Sequence, residues 1–385
     1  MTSHPLRLPL AAAFALALVL GTIAAPLLQA RAEDIETTAQ TLYIVDYQTG
    51  AVLADKNSTG RIEPASLTKM MTAYLIFEAL KSGKLKLTDS FPVSERAWRM
   101  QGSKMYVELN NSIKLEDLMR GIIVQSGNDA CIVVAEGMAG SEEAFADRMN
   151  AKAKEFGMTG THFVNSNGWP DPNHYTTARD LEILARHLIA DYPEYYHYFS
   201  ELNYTYHGIK QGNRDPLLYK NVGADGIKTG HAEGPGYSLV SSGQQNGRRI
   251  IMVVQGLDSK KSRSDEALQL YQWAFRNFDN VTVAKANSAL VQAPVWLGAS
   301  ETVGLGPKSD LVVTLPRDAR GKLKATAVFD GPLAAPLAAG QQVGTLRLEA
   351  PGMAPMEVPL VTTVAVERLG AFGRMIAAAQ YLIRS

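Results

Sequence analysis

The sequence predicts an α+β domain followed by a small all-β domain and a C-terminal amphipathic helix. Three observations predict this order. Apolar residues recur at helical spacing in several stretches before residue 278, three strand-like runs interrupt that spacing between residues 224 and 257, and short runs rich in valine, leucine and threonine dominate from 281 to 366. A chain of 385 residues, 46% of them apolar, is long enough for two or three domains.

Residues 1–32 are predicted to be a signal peptide. Arg7 precedes an uncharged apolar run over residues 8–28, and small residues at Ala30 and Ala32 fit the cleavage pattern of a signal peptidase. The alternative is an uncleaved anchor helix, because the run is long enough to span a bilayer. We expect cleavage after Ala32 and export of the chain.

The first domain is predicted to cover residues 33–278. Two short strands within 41–54 precede a helix that starts after Pro64, and two further helices between 114 and 140 flank a break at residues 124–129. Helical spacing returns between 144 and 190. Three strands then follow, the last two joined by a hairpin turn at Asn246-Gly247, and a helix over residues 262–277 completes the domain.

The second domain is predicted to cover residues 281–366, where glycine and proline punctuate short strands as in a small β-sandwich or barrel. Residues 367–385 are predicted to form an amphipathic helix. Its apolar stripe is extended by Val366 and includes Leu369, Phe372, Met375, Ile376, Ala379, Leu382 and Ile383, with Arg368, Arg374 and Arg384 off the stripe. We expect this helix to lie on a membrane surface. The alternative is that it packs on the β domain.

Charge and cysteine usage exclude several classes of function. The 38 basic side chains balance 38 acidic ones, so nothing indicates nucleic acid as a partner. The single cysteine, Cys131, lies in an apolar run and is predicted to be a core residue. No zinc-binding spacing occurs, and no metal or organic cofactor is implied.

Ser66 and Lys69 lie three residues apart at the start of the first predicted helix, so the amine can reach the hydroxyl. A serine needs a base to become a nucleophile, and a lysine can be that base if burial or another cation keeps it neutral. The spacing alone occurs by chance about once in a chain of this length. It therefore needs support from other motifs.

Two later motifs supply that support. Ser126-Gly127-Asn128 offers a hydroxyl to relay a proton and a side-chain amide, and Lys228-Thr229-Gly230 offers a positive charge, a hydroxyl for a carboxylate, and a glycine that lets a substrate backbone approach. Serine-x-x-lysine, a serine-x-asparagine and lysine-threonine-glycine in this order form the signature of penicillin-binding proteins and class A β-lactamases. Each motif falls in the expected helix, loop or strand.

With these motifs the chain resembles the low-molecular-mass penicillin-binding proteins that are D-alanyl-D-alanine carboxypeptidases. The segments PASLTKMMTAYL, SGNDA, DGIKTGH and GYSLVSS look like that family's motif blocks, and the resemblance covers nearly all of the mature chain. It implies a β-lactamase/transpeptidase-like first domain, followed by the β-rich domain and the membrane-attached tail. It also implies peptidoglycan pentapeptide as substrate and β-lactams as covalent inhibitors.

The resemblance implies a role for each motif residue. Ser66 would attack the carbonyl between the two terminal D-alanines, with Lys69 as base. Ser126 and Lys228 would share in proton transfer to the leaving amine. Asn128 would orient either Lys69 or the substrate amide.

The remaining site residues are expected to bind substrate. The oxyanion would lie between the backbone N–H groups of the nucleophile and of His231, and Thr229 would bind the terminal carboxylate beside Gly230. Arg263, and less strongly Arg214, would assist. The alternative for either arginine is a solvated surface cation.

Other activities use the same motifs. A D,D-endopeptidase or a β-lactamase stays open as an alternative, and so does a non-catalytic cell-wall scaffold. The middle motif reads serine-glycine-asparagine, which favours the peptidase over a class A β-lactamase, and Glu182 does not lie in a sequence context typical of a deacylating glutamate. We expect a serine-type D-alanyl-D-alanine carboxypeptidase bound peripherally at the periplasmic face of the inner membrane.

Overall fold

The computed structural model describes residues 35–384, so the predicted signal peptide lies outside the described residues. The strands of the first part are, in chain order, β1 (Thr41–Asp46), β2 (Val52–Lys56), β3 (Ser90–Pro92), β4 (Ser112–Lys114), β5 (Asn203–Tyr206), β6 (Ile209–Gly212), β7 (Ala224–Ala232), β8 (Gly236–Gln245) and β9 (Arg248–Leu257). The helices are α1 (Lys69–Lys81), α2 (Glu95–Arg99), α3 (Leu115–Ile123), α4 (Asn128–Ala139), α5 (Glu142–Glu155), α6 (Ala178–Asp191), α7 (Pro193–Tyr196) and α8 (Lys260–Asn277).

A five-stranded antiparallel sheet, in the order β2-β1-β9-β8-β7, organises this part. Side chains alternate between the two faces of a strand, and both faces of this sheet are covered. In β9, Ile251 and Val253 pack into the large core formed with α1, α3, α4 and α6, whereas Met252 and Val254 pack into a second core with α8. Strand β7 lies at one edge of the sheet.

Helix α1 is the central helix of the large core, because nearly all of its side chains are buried. It does not begin at the serine. Residues 65–68 form a 3₁₀ turn after Pro64, and α1 starts at Lys69. In a 3₁₀ turn, side chains three positions apart eclipse one another, which brings Ser66 and Lys69 together.

The second part is all β, as the sequence predicts. Its strands are β10 (Phe278–Ala284), β11 (Val291–Trp296), β12 (Thr302–Pro307), β13 (Leu311–Pro316), β14 (Lys324–Phe329), β15 (Leu333–Ala334), β16 (Gln342–Glu349) and β17 (Met356–Thr362). Strands β10 and β13 pair with each other, and the other strands form a sheet in the order β14-β16-β17-β12-β11-β15. Two small apolar clusters, around Leu315 and Leu305, hold it together.

Asp46, at the end of β1, connects the two parts. Its fully buried carboxylate accepts hydrogen bonds from Arg248 Nε at 2.8 Å and from Asn280 Nδ2 of β10 at 3.1 Å. The neighbouring Thr49 and Thr314 hydroxyls lie 2.5 Å apart. These contacts tie the β-rich part to the end of strand β1 in the first sheet.

The last helix, α9, covers Ala371–Arg384 and begins later than the sequence predicts. The predicted stripe from Val366 onward is wrong at its start, because Val366 is buried in the β-rich part and pairs with Leu337. Leu369 also precedes the helix, and its backbone N–H bonds to Leu297 O. No helix within residues 35–384 is long and apolar enough to span a bilayer.

Candidate active site

Ser66 and Lys69 meet at the end of a cleft of about 620 Å³. Lys69 Nζ lies 2.9 Å from Ser66 Oγ, 2.7 Å from Asn128 Oδ1 and 2.7 Å from the backbone oxygen of Asn167. The Lys69 side chain is almost completely buried, and Ser66 lines the cleft. Substrate can therefore reach the hydroxyl while the amine stays away from bulk water.

The pKa of Lys69 is lowered to about 8, mainly by burial and in smaller part by the positive charge of Arg214. Cys131, with a larger effect than Arg214, and Asp129 oppose this shift. A neutral amine has two N–H groups and one lone pair. Asn128 Oδ1 and Asn167 O can only accept hydrogen bonds, so they take the two N–H groups. The lone pair then points at Ser66, where a general base needs it.

A second lysine–serine pair lies beside the first. Lys228 Nζ donates to Ser126 Oγ at 3.0 Å and to its neighbour Thr229 O at 3.2 Å, and both side chains are buried. Burial, then the charges of Lys69 and Arg214, lowers the pKa of Lys228 well below its ordinary value. The two pairs give the site two hydroxyls, each within reach of an amine of lowered proton affinity.

The loop between α3 and α4 positions the middle motif. Ser126 has a left-handed backbone with φ 59°, and Asn128 is the first residue of α4. Asn128 Nδ2 donates to Gln101 O at 2.8 Å, which fixes the amide so that Oδ1 faces the lysine. Asp129 anchors the same region, because its carboxylate accepts from the backbone N–H groups of residues 105–107 at 2.8–3.1 Å.

Strand β7 carries Lys228, Thr229, Gly230 and His231 along the edge of the sheet. A side chain at Gly230 would overlap the hydroxyl of Ser238 and crowd Pro64 O, so only glycine fits there. His231 is exposed, and its ring lies 4.1 Å from that of Tyr237. An edge strand offers unpaired backbone groups to an extended peptide.

Both predicted arginines line the cleft, in different settings. Arg263 is only 6% exposed, so the surface-cation alternative is wrong for it. Its Nη atoms make long 3.4 Å contacts with Gly230 O and Arg214 O, and its Nε has no hydrogen-bond partner among the described residues. Arg214 is exposed and donates to Ser103 Oγ at 2.6 Å. The buried Asp215 carboxylate is a source of negative charge for Arg263.

Cys131 and Glu182, to which the sequence gives no catalytic role, lie where the sequence predicts. Cys131 is fully buried, and burial raises the pKa of its thiol to about 12. Glu182 accepts two hydrogen bonds from Arg186 on the same helix and does not line the cleft. Burial raises the pKa of Glu182.

Sequence reasoning missed the contribution of Asn167, Trp169 and Asp129. Asn167 binds Lys69 through its backbone oxygen, which leaves no signature in side-chain identity. Thr68 Oγ1 lies 2.8 Å from His174 Nε2, and Val164 N donates to His174 Nδ1, so the loop that carries Asn167 is fixed to the 3₁₀ turn. Asp129 directly follows the serine-glycine-asparagine motif, and that position is the one sequence cue to its role.

A serine on the cleft paired with a buried lysine, a second lysine–serine pair and an edge strand around the same cleft define the class of serine acyl-transfer enzymes. A sequence model described as D-alanyl-D-alanine carboxypeptidase, Peptidase S11, matches residues 28–259. A second, for the C-terminal domain of penicillin-binding protein 5, matches residues 278–368. The chain belongs to the family of D-alanyl-D-alanine carboxypeptidases.

Individual relatives agree with that membership. The chain is 40% identical over 362 residues to D-alanyl-D-alanine carboxypeptidase DacC of Escherichia coli (strain K12), covering 92% of this chain and 88% of the relative. It is 39% identical over 346 residues to DacA of Haemophilus influenzae, covering 88% of each. The crystal structure of penicillin binding protein 5 from Haemophilus influenzae matches with a TM-score of 0.79 and 38% identity, over 88% of this chain and 100% of that chain.

These comparisons confirm the predicted family, the predicted fold class and the prediction of a serine-type peptidase.

Proposed function

We propose that Ser66 is the nucleophile with which this carboxypeptidase removes the terminal D-alanine from peptidoglycan pentapeptide stems. The observation that carries the assignment is the placement of both lysine–serine pairs beside one cleft, Lys69 against Ser66 and Lys228 against Ser126. Each amine is buried, so each has the lowered pKa that proton transfer near neutral pH needs.

In acylation, the neutral Lys69 amine takes the proton of Ser66, and Oγ attacks the carbonyl carbon of the penultimate D-alanine. The carbon–nitrogen bond then breaks. Its nitrogen receives a proton through the Ser126 hydroxyl, which Lys228 replenishes. The products are an ester on Ser66 and free D-alanine.

Before deacylation, the proton that Lys69 took from Ser66 passes to Lys228, which lost one to the leaving amine, so Lys69 is neutral again. A water molecule then attacks the ester carbon and gives a proton to Lys69. The carbon–oxygen bond to Ser66 breaks, the serine recovers a proton, and the shortened peptide leaves. Penicillin contains an amide that imitates D-alanyl-D-alanine, so it acylates the same serine. Its leaving nitrogen stays tethered to the acyl group, which slows the second step.

Substrate binding uses the edge strand and the cationic end of the cleft. Thr229 and Arg263 bind the terminal carboxylate, and Arg214 assists from the rim. The oxyanion lies between the backbone N–H groups of Ser66 and His231, and loss of one such donor typically costs about 10²- to 10³-fold in rate. The long 3.4 Å contacts of the Arg263 Nη atoms support this assignment, because a carboxylate would offer them shorter hydrogen bonds.

One assay tests the function and its alternatives. Purified protein is incubated with a pentapeptide ending in D-alanyl-D-alanine, a cross-linked muropeptide and a fluorescent penicillin. We expect release of D-alanine and slow-turnover labelling, both lost in Ser66→Ala and kept in Ser82→Ala, a control just after the C-terminal end of α1. Cleavage of the muropeptide instead would indicate an endopeptidase, rapid penicillin turnover a β-lactamase, and no reaction a scaffold.

We also propose that a catalytic domain over residues 33–278 is held at the periplasmic face of the inner membrane. The β-rich domain over 281–366 would lie between that domain and α9, whose Phe372 and Met375 side chains are 73% and 65% exposed. Exposed apolar residues on a terminal helix, with Arg374 between them, fit an interfacial anchor.

Vesicle sedimentation tests the anchor. A chain that ends at Gly370 should stay in the supernatant with anionic vesicles, and so should the double variant Phe372→Ser/Met375→Ser. A chain carrying Ala371→Ser should sediment like the wild type. Sedimentation of the truncated chain would contradict the proposal.

A further inference from the structure

Trp169 forms an aromatic wall at the mouth of the catalytic cleft. It lines the cleft and yet is 44% exposed. A Cβ added to Gly102 would lie 3.3 Å from the Trp169 ring and 2.7 Å from Asn128 Nδ2. Gly102 therefore lies against both the Trp169 ring and the Asn128 amide, and a side chain there would crowd them.

The backbone of Trp169 is held by the side chains of two asparagines. Trp169 N donates to Asn167 Oδ1 at 2.8 Å and to Asn165 Oδ1 at 3.1 Å. Asn165 Nδ2 donates back to Trp169 O at 2.9 Å. A half-exposed indole on a fixed backbone loses little conformational freedom when a ligand covers it.

The direction of a bound peptide follows from the side chains that line the cleft. Arg263 and Thr229 line its cationic part, where the proposed function places the terminal carboxylate. Ser66 must meet the scissile carbonyl. The residues on the amino side of that carbonyl then leave the cleft past Asn128, where Trp169 stands.

Resting on the proposed function, we propose that Trp169 is a specificity-determining residue for the residue that precedes the two D-alanines. The indole packs against the apolar stem of that side chain. The Trp169 ring also contacts the acyl side chain of a β-lactam, because that side chain extends from the reacting amide in the same direction. Substrates with a long aliphatic stem at this position are therefore preferred over those with none.

Two matched peptides test this inference on the full chain. N-acetyl-L-norleucyl-D-Ala-D-Ala carries an uncharged four-carbon stem, and N-acetyl-glycyl-D-Ala-D-Ala has the same peptide bonds without it. We expect Trp169→Ala to lower kcat/KM about tenfold more for the norleucine peptide than for the glycine peptide. Trp169→Phe should recover most of the loss. Trp98→Ala is the control, because Trp98 is also 44% exposed but does not line the cleft.

A second measurement does not depend on peptidase activity. Trp169→Ala should slow acylation by benzylpenicillin more than acylation by 6-aminopenicillanic acid, which lacks the acyl side chain. Equal losses on both members of either pair would mean that Trp169 only supports the catalytic loop, and would overturn the inference. So would the absence of any loss. If the wild type labels with penicillin but cleaves neither peptide, the proposed function fails while the penicillin comparison still decides the role of Trp169.

Discussion

Asn128→Asp tests whether Lys69 acts as a neutral base. The substitution keeps the shape of the side chain and places a carboxylate oxygen where Asn128 Oδ1 now lies, 2.7 Å from Lys69 Nζ. An anion at that distance stabilises the protonated amine. The amine would then hold its proton at the pH at which Ser66 must lose one.

The size of the effect follows from the lowered pKa of Lys69. With a pKa of about 8, about one amine in eleven is neutral at pH 7. Two opposite charges 4 Å apart attract by about 4 kcal/mol at an effective dielectric constant of about 20, which corresponds to about three pKa units. We therefore expect acylation at pH 7 to fall by about 10²- to 10³-fold.

The assay is the rate of labelling by a fluorescent penicillin between pH 6 and pH 10.5. The wild-type rate should rise with pH through the pKa of Lys69, near 8. The rise should move to higher pH in Asn128→Asp and stay in place in Asn128→Ala, which loses the same hydrogen bonds without adding charge. An unchanged profile in Asn128→Asp would refute the assignment of Lys69 as the base.

Three further predictions concern the surroundings of the site. Gly168→Ala should abolish D-alanine release, because at φ 82° its Cβ would overlap Ala65 O and displace the loop that binds Lys69; Gly50→Ala, at φ 71° in open space, is the control that should keep activity. Asp215→Asn should raise the melting temperature at pH 8 but not at pH 4. Burial raises the pKa of Asp215 to about 7 from an ordinary 3.8. The wild type therefore loses stability as the pH rises from 3.8 to 7, by about 1.4 kcal/mol for each pKa unit. Asp129→Asn should speed amide hydrogen exchange at residues 105–107 and cost about 2 kcal/mol of stability, because an amide nitrogen would replace one acceptor oxygen; unchanged exchange would show that the loop is held by other contacts.

The sequence predicts the parts of the site that depend on side-chain chemistry. Ser66, Lys69, Ser126, Asn128 and Lys228 are brought together as the motif order suggests. Helical periodicity and the Asn246-Gly247 turn also place most helices and strands correctly. These features can be predicted because each depends on the spacing of residues that are close together in the sequence.

Parts that depend on backbone geometry or on distant packing are not visible in the sequence. The oxygen that Asn167 offers to Lys69 belongs to the backbone, and any residue could supply it. The start of α9 was predicted too early because Val366 fits both an amphipathic stripe and a buried strand position. The burial of Arg263 depends on how α8 packs against the sheet, which no local pattern reports.

The positive charge of the cleft links substrate binding to proton transfer. Burial, and after it the charges of Lys69, Arg214 and Arg263, lower the pKa of Lys228, so Lys228 binds its proton weakly in the free site. A substrate carboxylate bound by Arg263 adds an anion to this cluster and should raise the pKa of Lys228 again. Lys228 then becomes a proton source for the leaving amine only when a terminal carboxylate is present. A peptide amidated at its C-terminus lacks this carboxylate, so it should acylate the enzyme more slowly. It forms the same ester, so deacylation should proceed at the normal rate. Equal acylation rates for the two peptides would exclude this coupling.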